Sequence, residues 1–360
     1  MRINYTFFIL LLIGFFNTAV AGSFEAVPPK TPKPKCIPER PIVYPGSYPY
    51  DVYQYPFFYV SAGIGAYRFR NPTVEVGNRT GTNAPITSIN NNGVTPIYNV
   101  NLGYAFYNPY ASIFGHFNDI MLKLSYLNTS STKESNLGGT LGNIWYIDGG
   151  RRVGVILPIR QTSFTAKHRL IDAGLYYRSV PSTAGFDKVT FHPRIGVVFT
   201  NLNAKYNVVI NYDYLGSQAS DTEQYKVQTY YYGVAAGEQL AFHVAPQFLL
   251  LGDVELQLLY ADSDLDASQV GISGVAASVA NVSNHLNKIT YRAIAYLGAK
   301  FYFLPKADSV SLDAKIGIDH WGCNPQVVTP NDDNGGRRIH LSGTSQNNPF
   351  VAFDVTVPIG

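Results

Sequence analysis

The sequence predicts an all-β chain: a transmembrane, antiparallel, up-and-down β-barrel of about 10–12 strands with long extracellular loops. Three observations predict it. Apolar and polar residues alternate over segments of ten or more residues, charge is thin for the chain length, and long connections alternate with short ones. Of 360 residues, 46% are hydrophobic, 14% aromatic and only 14% charged. That excludes a disordered chain and leaves too little charge to coat a water-soluble globule. A mean hydropathy of -0.02, with no long apolar run after the N-terminus, excludes a helical membrane protein. A formal net charge of +3 is too small for a nucleic-acid partner.

Residues 1–21 combine Arg2, an apolar core from Phe7 to Phe16 and the small triplet Ala19-Val20-Ala21. This pattern predicts a cleaved signal peptide and an exported chain. Residues 22–56 are proline-rich, and proline removes donors and fixes φ so often that neither helix nor sheet can propagate. They predict a semi-rigid periplasmic tether, with the barrel occupying 57–360.

Within the barrel, the clearest strand is 288–304. Its odd positions from Ile289 to Phe303 are apolar, and its even positions include Lys288, Thr290, Arg292 and Lys300. The next segment alternates Val310, Leu312, Ala314, Ile316 and Ile318 with Ser311, Asp313, Lys315 and Asp319, so the two predict a hairpin about a turn at 305–308. The same alternation predicts strands at 57–69, 94–106, 118–128, 165–179, 188–200, 239–250, 253–262 and 349–359, which makes ten. Segments 205–214 and 225–236 either raise the number to twelve or extend beyond the sheet around one long loop. Long polar connections are expected at 70–93, 129–164, 263–287 and 321–348, and short ones at 107–117, 180–187, 251–252 and 305–308. In a meander, that alternation places the long connections at one rim.

Counting decides which face points outward. Ten strands would bring roughly fifty apolar side chains to an interior that a few layers already fill, so the apolar face must meet lipid. The inner wall then carries Lys123, Arg178, Arg194, Arg292, Lys300 and Lys315 against Asp172, Glu255, Asp313, Asp319 and Asp354. Such a wall either surrounds water or closes into ion pairs, because isolated charges away from water are costly. In an open lumen these side chains would set solute selectivity.

The segments FHPRIGVVF (191–199), EQLAFHVAPQFLLLGDVELQLLYADSD (238–264), YRAIAYLGAKFYF (291–303) and FVAFDVTVP (350–358), behind the leader, resemble the Gram-negative outer-membrane β-barrel proteins, within them the major outer-membrane protein and porin-like group. The resemblance implies residence in the cell outer membrane and contact with lipid, lipopolysaccharide and the barrel-insertion machinery. Peptidoglycan or a host surface are further expected partners. The chain ends Val357-Pro358-Ile359-Gly360, departing from the terminal aromatic residue common in such proteins. Members of the group form interchain disulfides, which implies intermolecular bridging through Cys36 or Cys323. With an even strand number, Cys36 falls on the periplasmic side and Cys323 on the exterior, so the two do not pair with each other.

Catalytic constellations, cofactor fingerprints and metal-ligand spacings are not evident in the sequence. His192 and His243 fall on the inner face, Asp319 and His320 point to opposite faces, and 332–340 is a dense ionisable loop without calcium-loop spacing. The expected function is a porin-like passive channel for small solutes without enzymatic activity. The alternative is a closed-lumen structural or adhesive surface protein contacting host or lipopolysaccharide through its long loops.

Overall fold

A computed structural model describes residues 57–69, 74–79, 85–89, 93–107, 117–148, 151–180, 189–270, 280–304, 309–328 and 339–359. The expected signal peptide, the tether and Cys36 lie outside these residues. The strands are β1 (Phe57–Phe69), β2 (Val74–Arg79), β3 (Pro85–Ile89), β4 (Gly93–Tyr107), β5 (Phe117–Asp148), β6 (Arg151–Val180), β7 (Val189–Tyr214), β8 (Ser217–Ala245), β9 (Phe248–Val270), β10 (Ala280–Tyr302), β11 (Ser311–Val328) and β12 (His340–Ile359). Ten of them close a ring. From β4 to β12 each strand pairs antiparallel with the next, β12 pairs with β1, and β1 pairs with β4. The short β2 and β3 form a hairpin attached to β5 at Asn78↔Asn143 and Arg79↔Gly142. Among the described residues no helix is long and apolar enough to cross a membrane.

The lipid-facing belt follows directly from the alternation. On β9, Leu250, Val254, Leu256 and Leu258 are exposed on the outer wall, while Leu249, Leu251, Asp253, Glu255 and Gln257 are buried inside. Register extends this belt sideways. One row across the wall runs Leu122, Leu175, Val197, Val234, Leu258 and Tyr291, and the next runs Leu124, Ala173, Phe199, Tyr232, Tyr260 and Ile289. Phe199, Tyr230 and Tyr232 stack at its upper edge, with ring centroids 5.4 to 6.4 Å apart, as an interfacial aromatic girdle does.

Above that edge the pattern inverts. On β7 the outward residues become Asn201, Asn203, Lys205, Asn207 and Asn211, while the inward ones become Leu202, Ala204, Tyr206, Val208, Ile210 and Tyr212. Water outside now selects polar residues, and the interior is filled like that of a soluble protein. Leu157, Ile159 and Phe164 of β6 join Tyr225 and Val227 of β8, Leu265 of β9 and Leu341 of β12 in this extramembrane core. Strand lengths agree, since a crossing needs about 9–11 residues. Strands β5, β6, β7 and β8 have 32, 30, 26 and 29 residues.

Several sequence expectations are corrected accordingly. Most of the connections expected at 129–164 and 263–287, and much of 321–348, are strand rather than loop, because their polar residues are the outward half of paired strands in water. Segments 205–214 and 225–236 are the upper parts of β7 and β8, not separate strands. They meet at a two-residue turn, where Leu215 (φ 49°) and Gly216 (φ 79°) both adopt the left-handed conformation that the tight hairpin requires. The expected turn at 251–252 lies instead at Pro246–Gln247, where proline supplies no ladder donor, and β9 begins at Phe248. The connection 107–117, the turns 180–187 and 305–308 and most of the ionisable loop 332–340 fall largely outside the described residues.

Candidate functional site

The site is the charged lumen below the extramembrane core. All eleven lumen residues anticipated from the sequence line one cavity: Lys123, Asp172, Arg178, Arg194, Glu255, Arg292, Lys300, Asp313, Lys315, Asp319 and Asp354. Period two places them there. Asp253, which the sequence reading missed, lines the cavity too.

Arg292 holds the centre. Its Nε and Nη2 donate to the two oxygens of Asp319 at 2.8 Å each, and Nη1 donates to Asp172 Oδ2 at 2.9 Å. Asp319 is on neighbouring β11, but Asp172 is on β6, across the lumen. Thr200 donates to the other oxygen of Asp172 at 2.7 Å, and Tyr67 donates to Asp319 at 2.7 Å. The guanidinium carbon lies 4.3 Å from the Trp321 ring centroid, and Tyr231 meets Trp321 edge-on at 4.9 Å. A buried charge stands only when paired and hydrogen-bonded, and Arg292 satisfies that condition with two carboxylates and an aromatic face.

A second cluster surrounds Arg194. Its Nη1 and Nη2 donate to Asp253 at 2.6 Å each, and Nη2 also donates to Glu255 at 2.8 Å. Tyr176 and Gln257 donate to the remaining Glu255 oxygen at 2.9 and 2.7 Å. Towards the short-turn rim, Lys315 donates to Asp354 at 2.6 Å and Lys300 stands 3.7 Å from Asp313. Asp313 and Asp354 are direct cross-strand partners, so the two lysines offset a like-charge pair. Gly63 makes room for this, because a Cβ there would sit 1.7 Å from Asp354 Oδ1. Arg178 pairs with Asp119, which also accepts from Tyr59 at 3.2 Å. Among the eleven anticipated residues, Lys123 alone makes no described ion pair.

Above these clusters, an apolar layer drawn from opposite walls crosses the barrel. It consists of Tyr67 and Phe69, Leu127, Leu170, Leu202, Tyr231, Leu259 and Trp321, all buried. Tyr231 on β8 donates to the Cys323 carbonyl on β11 at 3.1 Å. The Cys323 residue is 1% exposed and its thiol is free, which corrects the expectation that it bridges to a second chain. Strand β11 runs on to Val328, carrying Cys323 inside where a loop was expected.

His192 and His243 point inward as anticipated, with Thr190 Oγ1 3.0 and 3.5 Å from their Nε2 atoms. Asp319 and His320 do face opposite ways, and His320 meets Tyr291 on the outer wall at 3.1 Å. Sequence reasoning missed Asp119, Asp253, Tyr67, Tyr176 and Trp321. Asp253 is two positions from Glu255 within the expected strand 253–262 and therefore in phase with it, which is the signal that could have found it.

No protein-family model and no curated protein matches the sequence. Solved structures similar to it include the outer-membrane protease OmpT from Escherichia coli, at 9% identity over 84% of this chain and 94% of that one, with a TM-score of 0.40. The transport unit of the autotransporter AIDA-I from Escherichia coli is similar at 6% identity over 84% and 90%, with a TM-score of 0.30. The Pseudomonas putida toluene transporter TodX is similar at 6% identity over 87% and 92%, with a TM-score of 0.26. What the chain has in common with these proteins is a closed antiparallel barrel, established by its own pairing register, and no activity passes to it from them.

Proposed function

We propose that this outer-membrane barrel is a closed-lumen surface protein, in which the membrane part anchors an extracellular β-extension that makes contacts at the cell surface. The observation that carries this reading is the Arg292 clamp, which ties β10 to β6 through Asp172 directly under an apolar layer. A passage for hydrated solutes needs a polar path, and here the path ends on Trp321, Tyr231 and leucines. The extension has its own core and ends in a tight hairpin whose tip, Leu215, is 89% exposed. A hydrophobe held at that tip suits contact with another surface.

A porin-like passage is the second reading, and Lys123, which makes no described ion pair, and the polar lower cavity favour it. Planar-bilayer conductance of refolded protein separates the two, with the folded-versus-heated gel shift as the folding control. The closed reading expects silence from wild type and discrete openings from an Arg292→Ala/Trp321→Ala variant. Steady openings from folded wild type overturn it in favour of the channel.

A further inference from the structure

Three lysines stand side by side on the outer wall of the extension. Lys167 on β6 is the direct partner of Lys205 on β7, and Lys205 is the direct partner of Lys226 on β8. All three are exposed, as is Arg169 one row closer to the lipid belt. With strands about 4.8 Å apart, the row places three ammonium groups within roughly 10 Å along the wall. Like charges directly opposite one another destabilise a sheet. Among the described residues none of the four cations makes an ion pair. The row is flanked by Ser130 on β5 and by Asp266, the partner of Lys226 on β9.

Its height is informative. The row at the edge of the belt contains Ile171, Asn201 and Tyr230, and the lysine row lies four residues further along each strand. At about 3.3 Å per residue and a tilt near 40°, this is about 10 Å above the hydrocarbon edge, within reach of headgroups for a long side chain that leans toward the membrane. Arg169 fills the interval.

We propose that Lys167, Lys205, Lys226 and Arg169 form a binding site for the phosphates of an outer-leaflet glycolipid headgroup. Asp266 offsets only the Lys226 end, so phosphate supplies the anion that Lys167, Lys205 and Arg169 lack among their direct strand partners, and the leaflet supplies it at the right depth. The proposal does not depend on whether the lumen conducts.

The test measures retention of bisphosphorylated lipid A on the refolded full chain by native mass spectrometry. Parallel arms use enzymatically dephosphorylated lipid A and inorganic pyrophosphate. Wild type is expected to retain the bisphosphorylated lipid and release the dephosphorylated form at least tenfold more readily. Lys205→Glu should relieve the like-charge row, keeping or raising fold stability, while cutting lipid retention at least tenfold. Arg160→Gln, which removes a cation paired with Asp213, should leave retention unchanged. Equal retention of the two lipids, unaltered retention in Lys205→Glu, or displacement by pyrophosphate at concentrations equimolar with lipid overturns the proposal. The last result would assign the row to free phosphate instead.

Discussion

Arg292 and Asp172 are joined by a 2.9 Å hydrogen-bonded ion pair that spans the barrel from β10 to β6, between residues separated by 120 positions in sequence. Both side chains are nearly sealed from solvent, at 6% and 11% exposure. Removing one member of a buried pair leaves the other charge uncompensated. Arg292→Met should therefore lower unfolding free energy by about 3–5 kcal/mol, since Asp172 and Asp319 both lose their counter-ion. Asp172→Asn should cost less, because its one amide oxygen still accepts from Arg292 while its amide NH2 donates to the Thr200 hydroxyl, which then serves as acceptor. Guanidinium titration of refolded protein, read by the band shift, gives both values. Equal costs for the two variants would refute this account.

The lower half of the barrel was legible in the sequence because its two environments demand opposite polarity. Ile289 to Phe303 meet lipid and Arg292 and Lys300 meet the lumen, so period two and face assignment both followed. The upper half was not legible as barrel. There Leu202, Tyr206 and Ile210 turn inward and Asn203, Lys205 and Asn207 outward, so a reader who fixes the apolar face as outward sees the phase break at Phe199 and infers a loop. The lumen charges were readable residue by residue, but their partnerships were not. Arg292 contacts Asp172 only because the ring closes, and a local pattern carries no information on which opposite wall a side chain reaches.

The inversion also predicts how the outer wall tolerates charge. Leu256 is 55% exposed in the apolar belt, whereas Asn203 lies above the Phe199–Tyr230 girdle. Leu256→Arg should cost about 2–4 kcal/mol in a lipid bilayer, as charge near the midplane does. Asn203→Arg should stay within about 0.5 kcal/mol, as expected for a water-exposed position. Unfolding titrations in vesicles compare the two. Similar costs would move the hydrocarbon edge away from the girdle.

At the β7–β8 tip, Leu215 holds a positive φ of 49° that a branched, bulky side chain adopts reluctantly. Asparagine tolerates the same backbone and is favoured in such turns. Leu215→Asn should stabilise the hairpin by about 0.5–1 kcal/mol, seen as stronger amide-exchange protection from Val208 to Thr222. If the exposed leucine serves surface contact, the same variant should weaken attachment of cells displaying the protein. A variant with unchanged attachment would confine Leu215 to a purely local role.

Three residues above the lipid-facing Ile171, His168 is buried in the extension against Phe69, at 4.4 Å between ring centroids, and its Nε2 lies 3.3 Å from the Tyr206 hydroxyl. Among the described residues its Nδ1 has no hydrogen-bond partner. Desolvation by burial pushes the imidazole down from 6.5 to about 3. Between these values the unfolded chain binds a proton that the folded chain refuses. Stability contributed by the neutral ring is therefore complete above pH 6.5 and falls as pH drops toward 3, by at most about 1.4 kcal/mol per unit. Replacing the ring with one that cannot titrate isolates this contribution from the other buried groups. His168→Phe keeps the stacking on Phe69, forgoes the contact with Tyr206, and should flatten the profile. Wild type should lose more stability than the variant between pH 7 and pH 4.5, measured as guanidinium midpoints with amide exchange on β6 and β7 as the local reporter. Parallel profiles for the two proteins would place the acid sensitivity of the extension elsewhere.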